Sequence, residues 1–282
     1  MKTLGLVAKK GKAEALALAR QIRERLPGVT FLADRHLAAE TGWGSPEDEK
    51  EMGERAELVV VLGGDGTLIH AARLLGGRPV PILGVNLGSL GFMTEVPEPD
   101  LFPALEKVMA GGCQYESRMK LTCRLLRSGQ LEVEDEVLND VVINKGALAR
   151  IADHEMSVNG EYVTTYKSDG VIVASPTGST AYALSAGGPI VHPSLQGVVV
   201  APICSHALTQ RPLVLPSDRV IRITLKSEVA DVYLTLDGQA GRTLQSGDII
   251  EVRRSPNAVL LVRNPELGYF AVLRQKLHWG ER

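Results

Sequence analysis

Gly63-Gly64-Asp65-Gly66-Thr67 brings glycines, a carboxylate and a hydroxyl together where an apolar run, Glu57 to Leu62, gives way to helical spacing at Leu68, Ala71, Ala72 and Leu75. Glycines let backbone N–H groups approach phosphate oxygens without a Cβ in the way, and the N-terminus of the following helix adds partial positive charge. A carboxylate in such a loop would repel phosphate if its job were only to hold it. Asp65 makes better sense as a general base for an accepting hydroxyl, or as an indirect ligand of the magnesium that travels with ATP. Gly64, Gly66 and Thr67 belong to the same candidate nucleotide loop. Asp-Gly is also a favoured hairpin pair, but a helix rather than a second strand follows, which leaves a plain strand-to-helix turn as the competing reading.

The absence of Gly-x-x-x-x-Gly-Lys-Ser/Thr excludes a P-loop, and the first strand lacks Gly-x-Gly-x-x-Gly. A second glycine loop, Asn86 to Phe92, again follows an apolar run. Two such loops at neighbouring strand ends would line one crevice. Phe92 is either a ring that stacks on a nucleobase or a core side chain.

The elements that must carry these loops alternate over the first hundred residues. Leu4 to Ala8, Val29 to Leu32, Glu57 to Leu62 and Val80 to Val85 read as strands. Helical faces lie between or after them, at Ala15 to Leu26 and Leu101 to Met109. Repeated strand-helix units predict an α/β N-terminal domain with a parallel sheet. The pattern changes near Gly111-Gly112. Short β-rich runs then dominate to about Leu261, among them Val137 to Ile143, with turns expected at Asn159-Gly160, Asp237-Gly238 and Ser255-Pro256-Asn257. These predict a β-rich, layered, sandwich-like C-terminal domain interrupted by one helix-like stretch, Gly178 to Ala186, and followed by a helix at Phe270 to Trp279. The expected boundaries are 1–113 and 114–264, with 265–282 packing back on the first domain.

Bulk properties narrow the function classes. The 282 residues carry a net charge of −2 and no dense basic block, which argues against a nucleic-acid partner. No window approaches 18 unbroken apolar residues and the N-terminus lacks a signal-peptide core, so neither a membrane span nor secretion is expected. Cys113, Cys123 and Cys204 are scattered and odd in number, as suits a reducing, cytoplasmic setting. His70 and His206 have no metal-ligand partners at useful spacing, so no protein-held metal is expected.

Several further segments narrow the reading: Asn86-Leu-Gly-Ser-Leu-Gly-Phe92, Leu138-Asn139-Asp140-Val-Val-Ile143, Ser168-Asp169-Gly170, and Pro176-Thr-Gly-Ser-Thr-Ala-Tyr182-Ala-Leu-Ser185-Ala-Gly-Gly-Pro189. With Arg211-Pro212, Asp237-Gly238-Gln239 and the closing Leu273 to Gly280, they resemble the NAD kinase family over nearly the whole chain and in the right order. The resemblance implies transfer of the ATP γ-phosphoryl group to the 2′-hydroxyl of the adenosine ribose of NAD. It also implies magnesium accompanying ATP, a homodimer or homotetramer, and an NAD-binding β-rich domain. By the same resemblance Asp65 matches the proposed base and Gly66 with Phe92 sits beside the adenosine. Asn139, Asp140, Asp169, Thr180, Ala181, Tyr182 and Ser185 match NAD contacts, some made across a subunit interface.

Thr177 lies in the same motif, and Asp237 and Gln239 fall in a matching one, although Asp237-Gly238 also reads as a bare hairpin turn. Lys167, two residues before Asp169, either meets a phosphate or is solvated. The hydroxyls and glycine at 178 to 180 are expected to cap the following helix as well as bind ligand. The chain departs from the family's usual residues at Asp140, where Glu is common, at Ser205, where Pro is common, and at Gln210, where Asn is common. A lipid kinase sharing the first loop would need an apolar cleft, and residues 168 to 189 are small, polar and glycine-rich. A non-catalytic NAD(P) sensor would gain little from a base at Asp65.

Overall fold

The computed structural model describes residues 1–45, 48–146, 150–228, 231–264 and 266–280. The chain divides into two compact units, Met1–Ser117 with Ala258–Arg282, and Arg118–Asn257.

In chain order the first unit contains β1 (Thr3–Ala8), α1 (Ala13–Arg25), β2 (Thr30–Ala33), α2 (Arg35–Thr41), α3 (Asp48–Arg55), β3 (Leu58–Leu62), α4 (Asp65–Leu74), β4 (Pro81–Asn86), β5 (Val96–Pro97) and α5 (Leu101–Met109). Strands β2, β1, β3 and β4 pair side by side, all parallel. Every residue of β3 is fully buried, as an unbroken Leu-Val-Val-Val-Leu run requires when both faces of a parallel sheet are covered. The carboxyl end of β3 opens into Gly63 and Gly64, and α4 starts at Asp65.

Helices α2 and α3 were not evident from periodicity. Helix α2 is delimited by local chemistry: the Asp34 carboxylate accepts from the Leu37 N–H at 2.9 Å, and Gly42 closes it at φ 70°.

The second unit begins in β6 (Tyr115–Arg127) and continues through β7 (Gln130–Val137), β8 (Asp140–Lys145), β9 (Ala152–Val158), β10 (Glu161–Ser168), β11 (Gly170–Ala174), a 3-10 turn at Gly178–Thr180, α6 (Tyr182–Ser185), β12 (Gly197–Ile203), β13 (Leu213–Pro216), β14 (Ile221–Leu225), β15 (Val232–Leu236), β16 (Ala240–Leu244) and β17 (Ile249–Val262). Helix α7 (Tyr269–Leu277) follows, and residues 258 onward belong to the first unit, where Leu260 and Leu261 pair in parallel with β4. One sheet of the second unit runs β13-β12-β11-β8-β15-β16, antiparallel throughout. The other places β10, β9, β14 and β17 in order, with β6 and β7 beyond β17. Val141, Ile143, Val171, Val173, Val198 and Val200 point into the core between the sheets, against Leu121, Met156, Ile223 and Val252. Their neighbours Val142, Ile172, Ala174, Val199 and Ala201 pack on the other side against Ala183 and Val191. The central strands are therefore buried on both faces, which explains their continuous valine and isoleucine runs.

Two expected elements are corrected. Val137 to Ile143 is not one strand: β7 ends at Val137, and β8 begins at Asp140 in the other sheet. Ser255-Pro256-Asn257 is not a turn between strands but lies inside β17. There the Ser255 hydroxyl donates to Glu136 and accepts from the Asn257 N–H, so local side-chain bonds replace the ladder bond that Pro256 cannot donate.

His154 on β9 is fully buried between Tyr166 of β10 and Leu225 of β14. Burial pushes its imidazole down to about 4, against weaker upward pulls from Asp153 and the Ser168 backbone. The unfolded chain takes up this proton first. The contribution is complete above the ordinary histidine value and is lost as pH falls toward 4, amounting to about 2 kcal/mol by pH 5. In urea titrations at pH 7.5 and pH 5, His154→Leu should lose less stability on acidification than the wild type, by about that amount.

Candidate active site

In the first unit the Asp65 carboxylate sits in the first turn of α4 and gathers donors from the end of the second glycine loop. Its Oδ2 accepts from the Phe92 N–H at 2.8 Å. Its Oδ1 accepts from the Met93 N–H at 3.0 Å, the Thr94 N–H at 3.1 Å and the Thr94 hydroxyl at 3.2 Å. Oδ1 is thus crowded with donors, whereas Oδ2 has one and retains acceptor capacity for a further hydroxyl. The approach demands Gly91, because a Cβ there would lie 2.3 Å from Asp65 Oδ1. Gly91 lies in the second glycine loop read from the sequence but was given no role of its own there, and Thr94, two residues past that loop, carried no signal.

Gly64, Gly66 and Gly88 pose a different question. A Cβ at any of them would meet nothing within 4 Å, and none has a positive φ. Gly64 is the N-cap of α4, a position that suits glycine, but neither packing nor backbone conformation accounts for glycine at 66 or 88. What remains is the space itself, open beside exposed backbone at the carboxyl end of a parallel sheet and at a helix N-terminus. Thr67, half-buried, fills the space beside Gly63, where a Cβ would lie 2.5 Å from the threonine Oγ1. Phe92 is half-buried, with the Lys276 ammonium 5.8 Å from its ring centre. A cleft of about 550 Å³ lies along the second glycine loop, lined in part by Asn86, Leu87, Gly88 and Leu90.

In the second unit Asn139, Asp140, Thr177, Thr180 and Asp237 come together. Asn139 and Asp140 stand where the chain passes from β7 into β8, and Asp140 pairs with Ala174 at the end of β11. The Asp237 carboxylate accepts from the N–H groups of Leu138 at 2.8 Å, Asn139 at 2.7 Å and Asp140 at 3.1 Å. Asp140 is buried, and burial pushes its carboxyl up to about 7, with the neighbouring Asp237 carboxylate adding to the rise. The Asn139 Oδ1 is buried and has no hydrogen-bond partner among the described residues. An unmet amide oxygen beside a buried carboxyl is an arrangement that favours a ligand bringing hydroxyl or N–H donors.

The segment after β11 wraps this corner. Ser175 donates to the Leu138 carbonyl and accepts from the Gly178 N–H, so Ser175, not a residue of 178 to 180, provides the capping-type bond. The hydroxyls of Ser179 and Thr180 turn back on the carbonyls of Pro176 and Thr177, and no side chain caps α6, which corrects the capping expectation. Gly178 has no room for a side chain, since a Cβ would lie 2.1 Å from the Asn139 carbonyl oxygen. Ala181 is partly exposed, and Tyr182 and Ser185 are exposed on α6.

Lys167 and Asp169 lie elsewhere in the unit. Gly170 pairs with Asn144, whereas Ala174 pairs with Asp140, so Asp169 stands at the opposite end of β11 from Asp140. Five residue steps along the strand separate Asp169 from Ala174, about 17 Å. Asp169 pairs with the Lys145 ammonium at 3.5 Å, and Lys167 is exposed. Gln239 is exposed in the hairpin turn, where its N–H donates to the Leu236 carbonyl. Near Lys167, the departures at Ser205 and Gln210 bond each other, and Gln210 reaches the Thr165 carbonyl at 2.8 Å.

Two glycine substitutions separate the fold's demands from the ligand's. Gly66→Ala should leave the melting temperature unchanged or higher while lowering turnover at least ~10-fold, because its space is open in the fold. Gly178→Ala should lower stability by about 1–3 kcal/mol through overpacking. Thermal melts and steady-state rates on both variants check the contrast.

The family model for the ATP-NAD kinase N-terminal domain matches residues 45–113, and that for the ATP-NAD kinase C-terminal domain matches residues 138–264. NAD kinase of Trichlorobacter lovleyi is 51% identical over 100% of both chains, and that of Geobacter sulfurreducens is 50% identical over 100% of both. Among solved structures, yeast NADH kinase complexed with NADH superposes with a TM-score of 0.90 at 27% identity, covering 100% of this chain and 89% of the other. An NAD kinase from Archaeoglobus fulgidus in complex with ATP gives 0.74 at 25% identity, covering 97% of this chain and 99% of the other.

Proposed function

The chain belongs to the NAD kinase family, and from that premise we propose how its residues divide the work of making NADP. The protein phosphorylates NAD: the γ-phosphoryl group of ATP passes to the 2′-hydroxyl of the adenosine ribose. Phosphoryl transfer asks mainly for alignment of hydroxyl and phosphate and for neutralisation of charge. The open glycines Gly64, Gly66 and Gly88, with Thr67, are assigned to the approach of substrate and phosphate to the loop. Asp65 is assigned as the base, taking the hydroxyl proton on Oδ2, with Oδ1 held by the donors of Met93 and Thr94. The observation that carries this reading is that asymmetry of the two carboxylate oxygens.

Phe92 is assigned to the adenosine, and Asn139, Asp140, Thr177, Thr180, Ala181, Tyr182 and Ser185 to hydroxyls and amides of NAD. Lys167 and Gln239 are assigned to polar groups of the same ligand, and Asp169 stands apart because the register puts it far along β11 from Asp140. In a homodimer or homotetramer Asp169 would instead serve a site shared with another subunit. Magnesium is assigned to ATP and enters as part of the substrate. Residues 114–264 are proposed as the NAD-binding domain and the cytoplasm as the setting. No helix among the described residues is long and apolar enough to cross a membrane.

Incubation with NAD, ATP and magnesium should yield NADP, and failure with both ATP and polyphosphate would contradict the assignment. Asp65→Asn should retain NAD binding while cutting turnover by roughly 10²-fold or more. Thr94→Val, which removes one donor to Oδ1 but leaves the carboxylate, should cost less than about threefold in turnover. Equal losses in the two variants would make Asp65 a loop anchor and not the base.

A further inference from the structure

Between Val137 and Asp140 the chain leaves one sheet and enters the other, so the N–H groups of Leu138 and Asn139 have no strand partner. In a buried corner each unmet N–H would cost about 1–3 kcal/mol. The acceptors come from Asp237, at the tip of the β15–β16 hairpin, whose two oxygens take the N–H groups of residues 138, 139 and 140. The Asp237 N–H in turn donates to the Asp140 carbonyl at 3.0 Å. The turn itself does not require a carboxylate. Asp237 and Gly238 have φ of 52° and 66°, the left-handed pair that Asn-Gly adopts at least as readily.

We propose that Asp237 is a positioning residue for NAD, holding the backbone of 138–140 so that Asn139 and Asp140 present their side chains to the substrate. The proposal rests on the reading of Asp140 as an NAD contact and deepens it. Asparagine at 237 would keep the turn but offer one oxygen where two are used, and its NH2 would face a backbone N–H. The same carboxylate supplies the negative charge beside Asp140. Among the described residues no other charge is found to act on that carboxyl. β11 places Ala174 opposite it, Leu236 of β15 lies beside Val141, and the segment after β11 offers the hydroxyls of Ser175 and Thr177.

Three variants test the proposal, each with KM for NAD, KM for ATP, kcat and the pH dependence of kcat/KM for NAD. Asp237→Asn should raise KM for NAD about 10-fold, with KM for ATP and kcat within about twofold. The kcat/KM profile for NAD should show an ascending limb from Asp140, and Asp237→Asn should move that limb to lower pH because the neighbouring charge is gone. Asp237→Glu keeps the charge but displaces the acceptors, so KM for NAD should rise while the limb stays near its wild-type position. Asp140→Asn should raise KM for NAD and abolish the limb. If Asp140→Asn has these effects and both Asp237 variants leave KM for NAD unchanged, the positioning role is overturned and the NAD contact stands. If Asp140→Asn changes neither KM for NAD nor the limb, the contact reading fails and the positioning role fails with it. Should Asp237→Asn not fold, the KM shift in Asp237→Glu alone decides.

Discussion

A carboxylate that collects the N–H groups of three consecutive residues is the interaction on which each unit's site depends. Asp65 does this for residues 92–94, and Asp237 does it for residues 138–140. Neither stretch is regular secondary structure from end to end, so neither has a ladder to satisfy its donors. A short carboxylate is well suited to the task, since it has several lone-pair directions, no donor of its own and little side-chain freedom to lose. Charge-assisted bonds of this kind are stronger than neutral ones, and here they replace secondary structure as the means of fixing a loop.

The two latches differ in what they leave free. Asp65 keeps acceptor capacity on Oδ2, and around it lie glycines whose space the fold does not use. Asp237 turns its oxygens to the backbone, and the neighbouring side chains are left wanting: among the described residues Asn139 Oδ1 has no hydrogen-bond partner, and burial holds the Asp140 carboxyl up to about 7. Two carboxylates in one buried corner disfavour a second ionisation. Burial is the larger cause of the Asp140 rise, and the Asp237 carboxylate, which the three N–H groups hold beside it, adds to it. A substrate offering hydroxyl donors relieves both unmet groups at once, and NAD with its two riboses is such a substrate.

The α/β and β-rich halves were legible because their strands are buried on both faces and so appear as unbroken apolar runs. The glycine loop was legible because composition and context coincide in five residues. What escaped notice depends on contacts distant in sequence. Asp237 reads as a hairpin residue, and nothing near it indicates a bond to Leu138, 99 positions away. For the same reason Val137 to Ile143 reads as one strand: the change of sheet at 138–139 is imposed by a partner at 237, not by a local breaker. Ser255-Pro256-Asn257 misleads in the opposite sense, since its turn composition is overridden by bonds to Glu136 and within the segment itself. Asp140 and Asp169 look like members of one set in the sequence, and only the β8–β11 register separates them.

Native-state amide hydrogen exchange reads the latches directly. If the latches hold, the N–H groups of residues 92–94 and 138–140 should exchange as slowly as those of neighbouring β3 and β8, although these stretches lie largely outside ladders. Exchange at the rate of open turns such as Ser128-Gly129 or Asn159-Gly160 would contradict it, because the carboxylates would then not be holding the loops that carry the site.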